Sequence, residues 1–321
     1  MTPLTDPEVL AFVAANDAAY PPEAAGAGPV ESRVHYNAMC AIFRAPRPAG
    51  LRVGDRLLAG VPIRAYDPGG GAQTRPFVLY LHGGGFVLGG LDSHDDICAE
   101  IAAATGAEVI SADYRLAPEH VYPAQQQDSR AVWLALTQGG RRGVVAGDSA
   151  GANLAAGLCL AMRARGGPMP LAQVLIYPWL GGDEPLESYI SNRDAPMLTT
   201  ADCRQFSQLV TGGDLSLAQT RSDLSPLVET DLSGLPPAVI VTADLDPVRD
   251  DGAVYGERLR AAGGRALCRN EPQLVHGYLR ARHRSRRAAA SFRFICDATG
   301  AAVSGAAVSG MATGKEKPPS P

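Results

Sequence analysis

Short, largely apolar runs recur along this chain. They occupy residues 77–81 (Phe-Val-Leu-Tyr-Leu), 108–112, 143–147, 174–177 and 238–242, with a last weaker run at 265–269. Each is rich in β-branched types, and each is separated from the next by enough chain for a helix. Strands buried on both faces of a parallel sheet read this way. Between the runs lie candidate helices over 95–104, 123–136, 150–163 and 250–262. The alternation of strand and helix predicts an α/β fold with a mostly parallel sheet flanked by helices.

Three segments depart from that rhythm. Near the start, Asp6-Pro7-Glu8 supplies a capping residue, a first-turn proline and an acid ahead of Val9, Leu10, Phe12 and Val13, which predicts a helix. A second amphipathic piece covers 34–43, and the alternation at Leu51, Val53, Leu57 and Val61 predicts an antiparallel pair at the sheet edge. Residues 185–224 lie between two core strands and are too long for a simple crossover; with 1–45 they are expected to form a helical cap. From 297 to 321 the chain carries a tandem Ala-Ala-Val-Ser-Gly repeat and then three prolines. Such small residues bury little area against the cost of ordering the backbone, so disorder is expected there. The folded unit is then one domain over 1–296.

Composition narrows the function. The net charge is −4, which does not supply the basic footprint of a general nucleic-acid binder. No run of apolar residues is long enough to span a bilayer, and no membrane association is expected. Residues 1–15 lack a basic segment and carry Asp6 and Glu8, unlike a signal peptide. The six cysteines are scattered without a Cys-x-x-Cys pair, so neither a disulfide framework nor a zinc site is expected, and a reducing cytoplasm is the setting they fit.

The candidate chemistry begins at Gly147-Asp148-Ser149-Ala150-Gly151, between an apolar strand and a helix. That is the context of a nucleophile elbow, a sharp turn that lifts a serine above the sheet. Upstream, His82-Gly83-Gly84-Gly85-Phe86 follows the strand at 77–81. A glycine run there can aim bare backbone N–H groups at a developing oxyanion. A serine nucleophile needs a base and an orienting acid, which follow it in the order serine, acid, histidine. Only His276 and His283 lie beyond Ser149. His283 sits among arginines that disfavour an imidazolium, whereas His276 follows the last strand. Asp244, Asp246, Asp250 and Asp251 all follow the strand at 238–242. Asp246 is preferred because Pro247 fixes the chain after it; Asp250 reads as a helix cap and Asp244 as a turn residue.

These motifs together resemble the hormone-sensitive lipase family of α/β-hydrolases, the bacterial family IV esterases. The resemblance rests on His82–Phe86, Leu91-Asp92-Ser93-His94-Asp95, Asp113-Tyr114-Arg115-Leu116-Ala117-Pro118-Glu119-His120, Gly147–Gly151, Asp246-Pro247-Val248-Arg249-Asp250 and His276-Gly277-Tyr278, and it spans 1–296. It implies the α/β-hydrolase fold with a helical cap. It implies a Ser149, Asp246, His276 triad, an oxyanion hole of the Gly84, Gly85 and Ala150 N–H groups, and His82 as a support of the glycine loop. It implies a serine carboxylesterase acting on short-to-medium acyl esters, with no cofactor and no metal. The partner is a small-molecule ester, and a homodimer stays open. An amidase or deacetylase with the same triad is the alternative; a non-catalytic receptor on this fold is disfavoured because all three triad positions are filled. Phe86, Trp179, Leu180 and Met197 are expected to line the substrate pocket. Asp95 reads as a helix cap, Trp133 as core, and Arg280–Arg287 as the solvated face of a last helix whose buried side includes Phe292 and Ile295.

Overall fold

The computed structural model describes residues 3–306 apart from 25, 72–74 and 184–185. Two helices lead, α1 (Pro7–Ala18) and α2 (Pro29–Phe43). Asp6 caps α1 by accepting from the Glu8 and Val9 N–H groups, as its position before Pro7 predicts. Then come β1 (Arg52–Leu58), β2 (Val61–Asp67), β3 (Phe77–Leu81), α3 (Asp95–Thr105) and β4 (Glu108–Ala112). The second half holds α4 (Ala124–Thr137), β5 (Gly143–Asp148), α5 (Ala150–Arg165) and β6 (Gln173–Ile176). Three helices interrupt the alternation: α6 (Glu187–Ser191), α7 (Thr200–Thr211) and α8 (Ser216–Thr220). The chain closes with β7 (Ala238–Leu245), α9 (Arg249–Ala261), β8 (Ala266–Val275) and α10 (Arg286–Ser304).

Among the described residues, the strands form one sheet in the order β1-β2-β4-β3-β5-β6-β7-β8. β2 pairs antiparallel with β1 and β4, and every pair from β4 to β8 is parallel. The period-2 geometry of the strands divides their side chains between two cores. Phe77, Leu79 and Leu81 join one with α4, α5 and α9. Val78 and Tyr80 join the other with α1, α2, α3 and α10. Burial on both faces is why the central strands read as continuous apolar runs. No helix among the described residues is long and apolar enough to cross a membrane.

Three expectations need correction. The chain does not leave the fold at 297: α10 continues through Ser304, with Ala298, Thr299 and Ala302 buried. Small side chains here permit close packing against α3 rather than preventing order, and Ser285 and Gly305 cap the two ends. The expectation of disorder over 307–321 lies outside the described residues. Asp95 does not cap α3; its carboxylate accepts from Arg47, Arg64 and the Tyr66 hydroxyl. Asp250 does not cap α9 either; it accepts from the Ser188 N–H at 2.9 Å and pairs with Arg249, tying α6 to α9. A carboxylate facing an arginine or a free N–H across the fold gains more from that partner than from a local turn.

Candidate active site

The parallel strands deliver their carboxyl ends to one rim of the sheet, and the predicted site residues gather there. Ser149 sits between β5 and α5 with φ 54° and ψ −122°, a strained conformation for a residue with a side chain. The turn closes only because its flanks are bare. A Cβ on Gly151 would stand 1.9 Å from the Leu81 carbonyl oxygen, and one on Gly147 would stand 2.5 Å from Gly151. Both obstacles are backbone, so neither can rotate away.

From β8, His276 brings Nε2 to 2.8 Å from Ser149 Oγ. Its Nδ1 lies 2.7 Å from Asp246 Oδ2, at the end of β7. Asp246 is fully buried, and its other oxygen accepts from the Val248 N–H at 3.0 Å, with Pro247 between them. The Asn192 amide holds the Asp246 carbonyl from α6. With Nδ1 donating to the carboxylate, Nε2 is left as an acceptor for the serine proton. Asp244 lies elsewhere, accepting from Asn270. His283 sits on the surface against Glu100.

The glycine loop leans on the elbow through Asp148. This buried carboxylate accepts from the Gly83 N–H at 3.0 Å, the Tyr80 hydroxyl at 2.8 Å and the Tyr177 hydroxyl at 3.2 Å, with His94 Nε2 at 3.3 Å. Burial alone would raise its pKa, but the adjacent His94, the Arg280 guanidinium and the Tyr80 hydroxyl hold it below the usual carboxylate range. Gly84 adopts φ 121°, and a Cβ there would meet the Leu88 carbonyl oxygen at 2.3 Å. His82 stacks on Tyr114 with ring centroids 4.3 Å apart, and its Nδ1 faces the Gly83 carbonyl at 2.8 Å. Burial and neighbouring His94 push its pKa down to about 3, so it is neutral and cannot serve as a cationic oxyanion donor.

A cavity of about 360 Å3 opens above Ser149, His276, Gly84 and Gly85. Its walls combine the two segments outside the alternating core: Asn16, Tyr20, Tyr36 and Met39 from the N-terminal part, and Cys203 and Phe206 from α7. A second cavity of about 280 Å3 adjoins it between α7, α8 and the core, and Trp179 and Cys203 line both. Met197 lines the first, Phe86 the second, and the Phe86 and Trp179 rings lie 5.8 Å apart. Leu180 does not belong with them. It is fully buried in the core, and its N–H donates to Asp251 at 2.7 Å. Successive residues of an extended segment face opposite ways, so the neighbour of a lining residue is the one least expected to line.

Several cavity residues escaped sequence reasoning. Asn16, Tyr20 and Tyr36 carry no motif; the expectation of a cap that includes 1–45 does not single them out as lining the cavity. Arg280 was grouped with a solvated cluster, yet it and Arg282 are buried. Its spacing of four residues from His276 was a usable signal, because the intervening turn (Tyr278–Ala281) carries the chain back beside the rim.

Comparison with known proteins agrees with this architecture. A family model described as the alpha/beta hydrolase fold matches residues 78–280. Carboxylesterase NlhH of Mycobacterium tuberculosis is 46% identical over 231 residues, covering 69% of this chain and 72% of that protein. Carboxylic ester hydrolase LipN of the same species is 39% identical over 267 residues, covering 78% and 70%. Among solved structures, an esterase of Pyrobaculum calidifontis aligns with a TM-score of 0.80 at 32% identity, covering 86% of this chain and 93% of that one. The thermostable carboxylesterase EstE1, cloned from a metagenomic library, aligns with a TM-score of 0.79 at 32% identity, covering 87% and 98%.

Proposed function

The chain belongs to the alpha/beta hydrolase fold family, in its hormone-sensitive lipase branch, and is a carboxylic ester hydrolase; from that premise we propose a serine carboxylesterase working through an acyl-enzyme. The observation that carries the mechanism is the hydrogen-bonded line from Ser149 Oγ through His276 to Asp246. Ser149 Oγ attacks the ester carbonyl while His276 Nε2 takes its proton. Asp246 holds the ring in the needed tautomer and offsets the charge of the imidazolium. The N–H groups of Gly84, Gly85 and Ala150 receive the oxyanion, and each such donor is worth on the order of 10²–10³ in rate. His276 then returns the proton to the leaving alkoxide oxygen. Water, activated by the same nitrogen, cleaves the acyl-enzyme and restores Ser149.

The size of the cavity supports short-to-medium acyl groups. Residues 1–45 and 185–224 act as the cap that walls it. The decisive experiment follows p-nitrophenyl acetate turnover in wild type and Ser149→Ala, with fluorophosphonate labelling read by peptide mass spectrometry. The expected result is a single adduct on Ser149 and no turnover by the variant. Turnover by Ser149→Ala equal to wild type overturns the reading. A matched anilide, cleaved as fast as the ester, would move the assignment to the amidase alternative.

A further inference from the structure

Two arginines two residues apart leave the base-bearing loop, and both are buried. Arg282 is fully answered: its guanidinium donates to Asp96, to both oxygens of Glu100 and to the Leu279 carbonyl. Arg280 is only 7% exposed, yet no carboxylate lies within ion-pair distance of it among the described residues. Its hydrogen-bond acceptors are not carboxylates: they are the Tyr36 hydroxyl from Nη2 and Cys40 Sγ from Nε at 3.2 Å, and it lies over the Tyr36 ring with 5.0 Å to the centroid.

The unanswered part of this group belongs to the catalytic cavity. Arg280 lines it together with Ser149 and His276. Nη1 lies 3.3 Å from where a Cβ on Gly277 would stand, beside the residue that follows the base. A guanidinium has five N–H donors in a planar fork, and burying its charge without an anion is costly. Asp148 helps balance the charge through space, but it lies beyond contact and its oxygens are taken by Tyr80, Gly83, His94 and Tyr177. Asp202, also on the cavity wall, is occupied at the start of α7 by Thr199, and Asp17 is exposed at its edge. The Asn16 amide lines the same wall, with its oxygen buried and unpartnered.

We propose that Arg280 is an anion-recognition residue and that the esters this enzyme prefers carry a carboxylate, as in a monoester of a dicarboxylic acid or an ester of a hydroxybenzoate. The proposal rests on the serine esterase reading and names the substrate class of that same site. A carboxylate docking on the free edge of the guanidinium supplies the missing counter-charge in the geometry the fork matches best.

Two matched pairs test it, each differing only by carboxylate against carboxamide. Monomethyl succinate and methyl succinamate place the group on the acyl side. 3-Acetoxybenzoate and 3-acetoxybenzamide place it on the alcohol side. The readout is the acid-to-amide ratio of kcat/KM. Wild type should favour the acid in one pair, and Arg280→Met should lower that ratio on the order of tenfold to a hundredfold, the worth of a charged hydrogen bond. Arg280→Lys, which keeps the charge without the fork, should fall between. A ratio that Arg280→Met leaves unchanged in both pairs overturns the proposal. Should that variant fail to fold by circular dichroism, competitive inhibition of wild type decides instead. Benzoate binding more tightly than benzamide supports the subsite, and benzamide binding as well as benzoate overturns it. Failure of the esterase reading is separate, since it shows as turnover by Ser149→Ala whatever the ratio.

Discussion

The floor and the walls of the catalytic cavity are built by opposite rules. The floor consists of strand ends and bare turns, where Gly151 and Gly84 abut the backbone oxygens of Leu81 and Leu88. Nothing there can yield. The walls consist of side-chain ends from the turn after α1, from α2, from α7 and from the loop after β6: Tyr20, Tyr36, Phe206 and Trp179. On the proposed mechanism the difference separates reaction from selection: the floor would hold the geometry of bond breaking, and the walls would decide which ester is presented to it.

The largest test of this division strikes the floor. Asp246→Asn preserves shape but lets His276 take the wrong tautomer, and kcat for p-nitrophenyl acetate should fall about 10⁴-fold. A loss under tenfold would show that Asp246 is not the orienting acid. Gly151→Ala is the next. Its Cβ would collide with the Leu81 carbonyl, and denaturant unfolding should show a loss of about 3 kcal/mol or more. Unchanged stability would mean that the floor can relax after all.

Asp251 joins floor to wall and gives a pH test. It is fully buried, accepting from the Leu180 and Gly182 N–H groups and the Tyr189 hydroxyl, and so pins the loop that carries Trp179. Burial raises its carboxyl to about 7, against the pull of those donors. A carboxyl raised on folding holds its proton longer in the native state than in the unfolded one. Its contribution is therefore most favourable at low pH and is lost as pH rises toward 7. The stability of wild type minus that of Asp251→Asn should decline by a few kcal/mol at most between pH 5 and 7.5. A flat difference would show that Asp251 is ionised throughout.

The smallest effect is expected at the wall. Trp179 lies between the cavities of about 360 and 280 Å3. Trp179→Ala should join them and raise the octanoate-to-acetate ratio of kcat/KM about tenfold, while the acetate rate changes less. An unaltered chain-length profile would leave the second cavity without a part in acyl selection.

Much of the core was legible because its causes are local or periodic. A strand buried on both faces has to be apolar throughout, so the runs at 77–81 and 238–242 announced β3 and β7. A turn that brings backbone against backbone has to be glycine, so the elbow announced itself too. Errors arose where a partner lies far along the chain. Asp95 and Asp250 looked like caps because Arg64 and Ser188 cannot be foreseen from their neighbours. Small residues at 298–302 looked unfit for a core because the facing surface of α3 is not written beside them.

Sequence alone therefore determined the alternating core and the serine turn, since each rests on backbone constraints acting over a few residues. Tertiary structure alone decided the environment of each charge. Arg280 and Arg282 are nearly indistinguishable along the chain. One folds against Asp96 and Glu100, contributed by α3, and is paired with both; the other folds against a tyrosine and a cysteine from α2, beside Ser149, with no carboxylate in contact. Coulomb attraction depends on distance in space, and only the fold sets that distance.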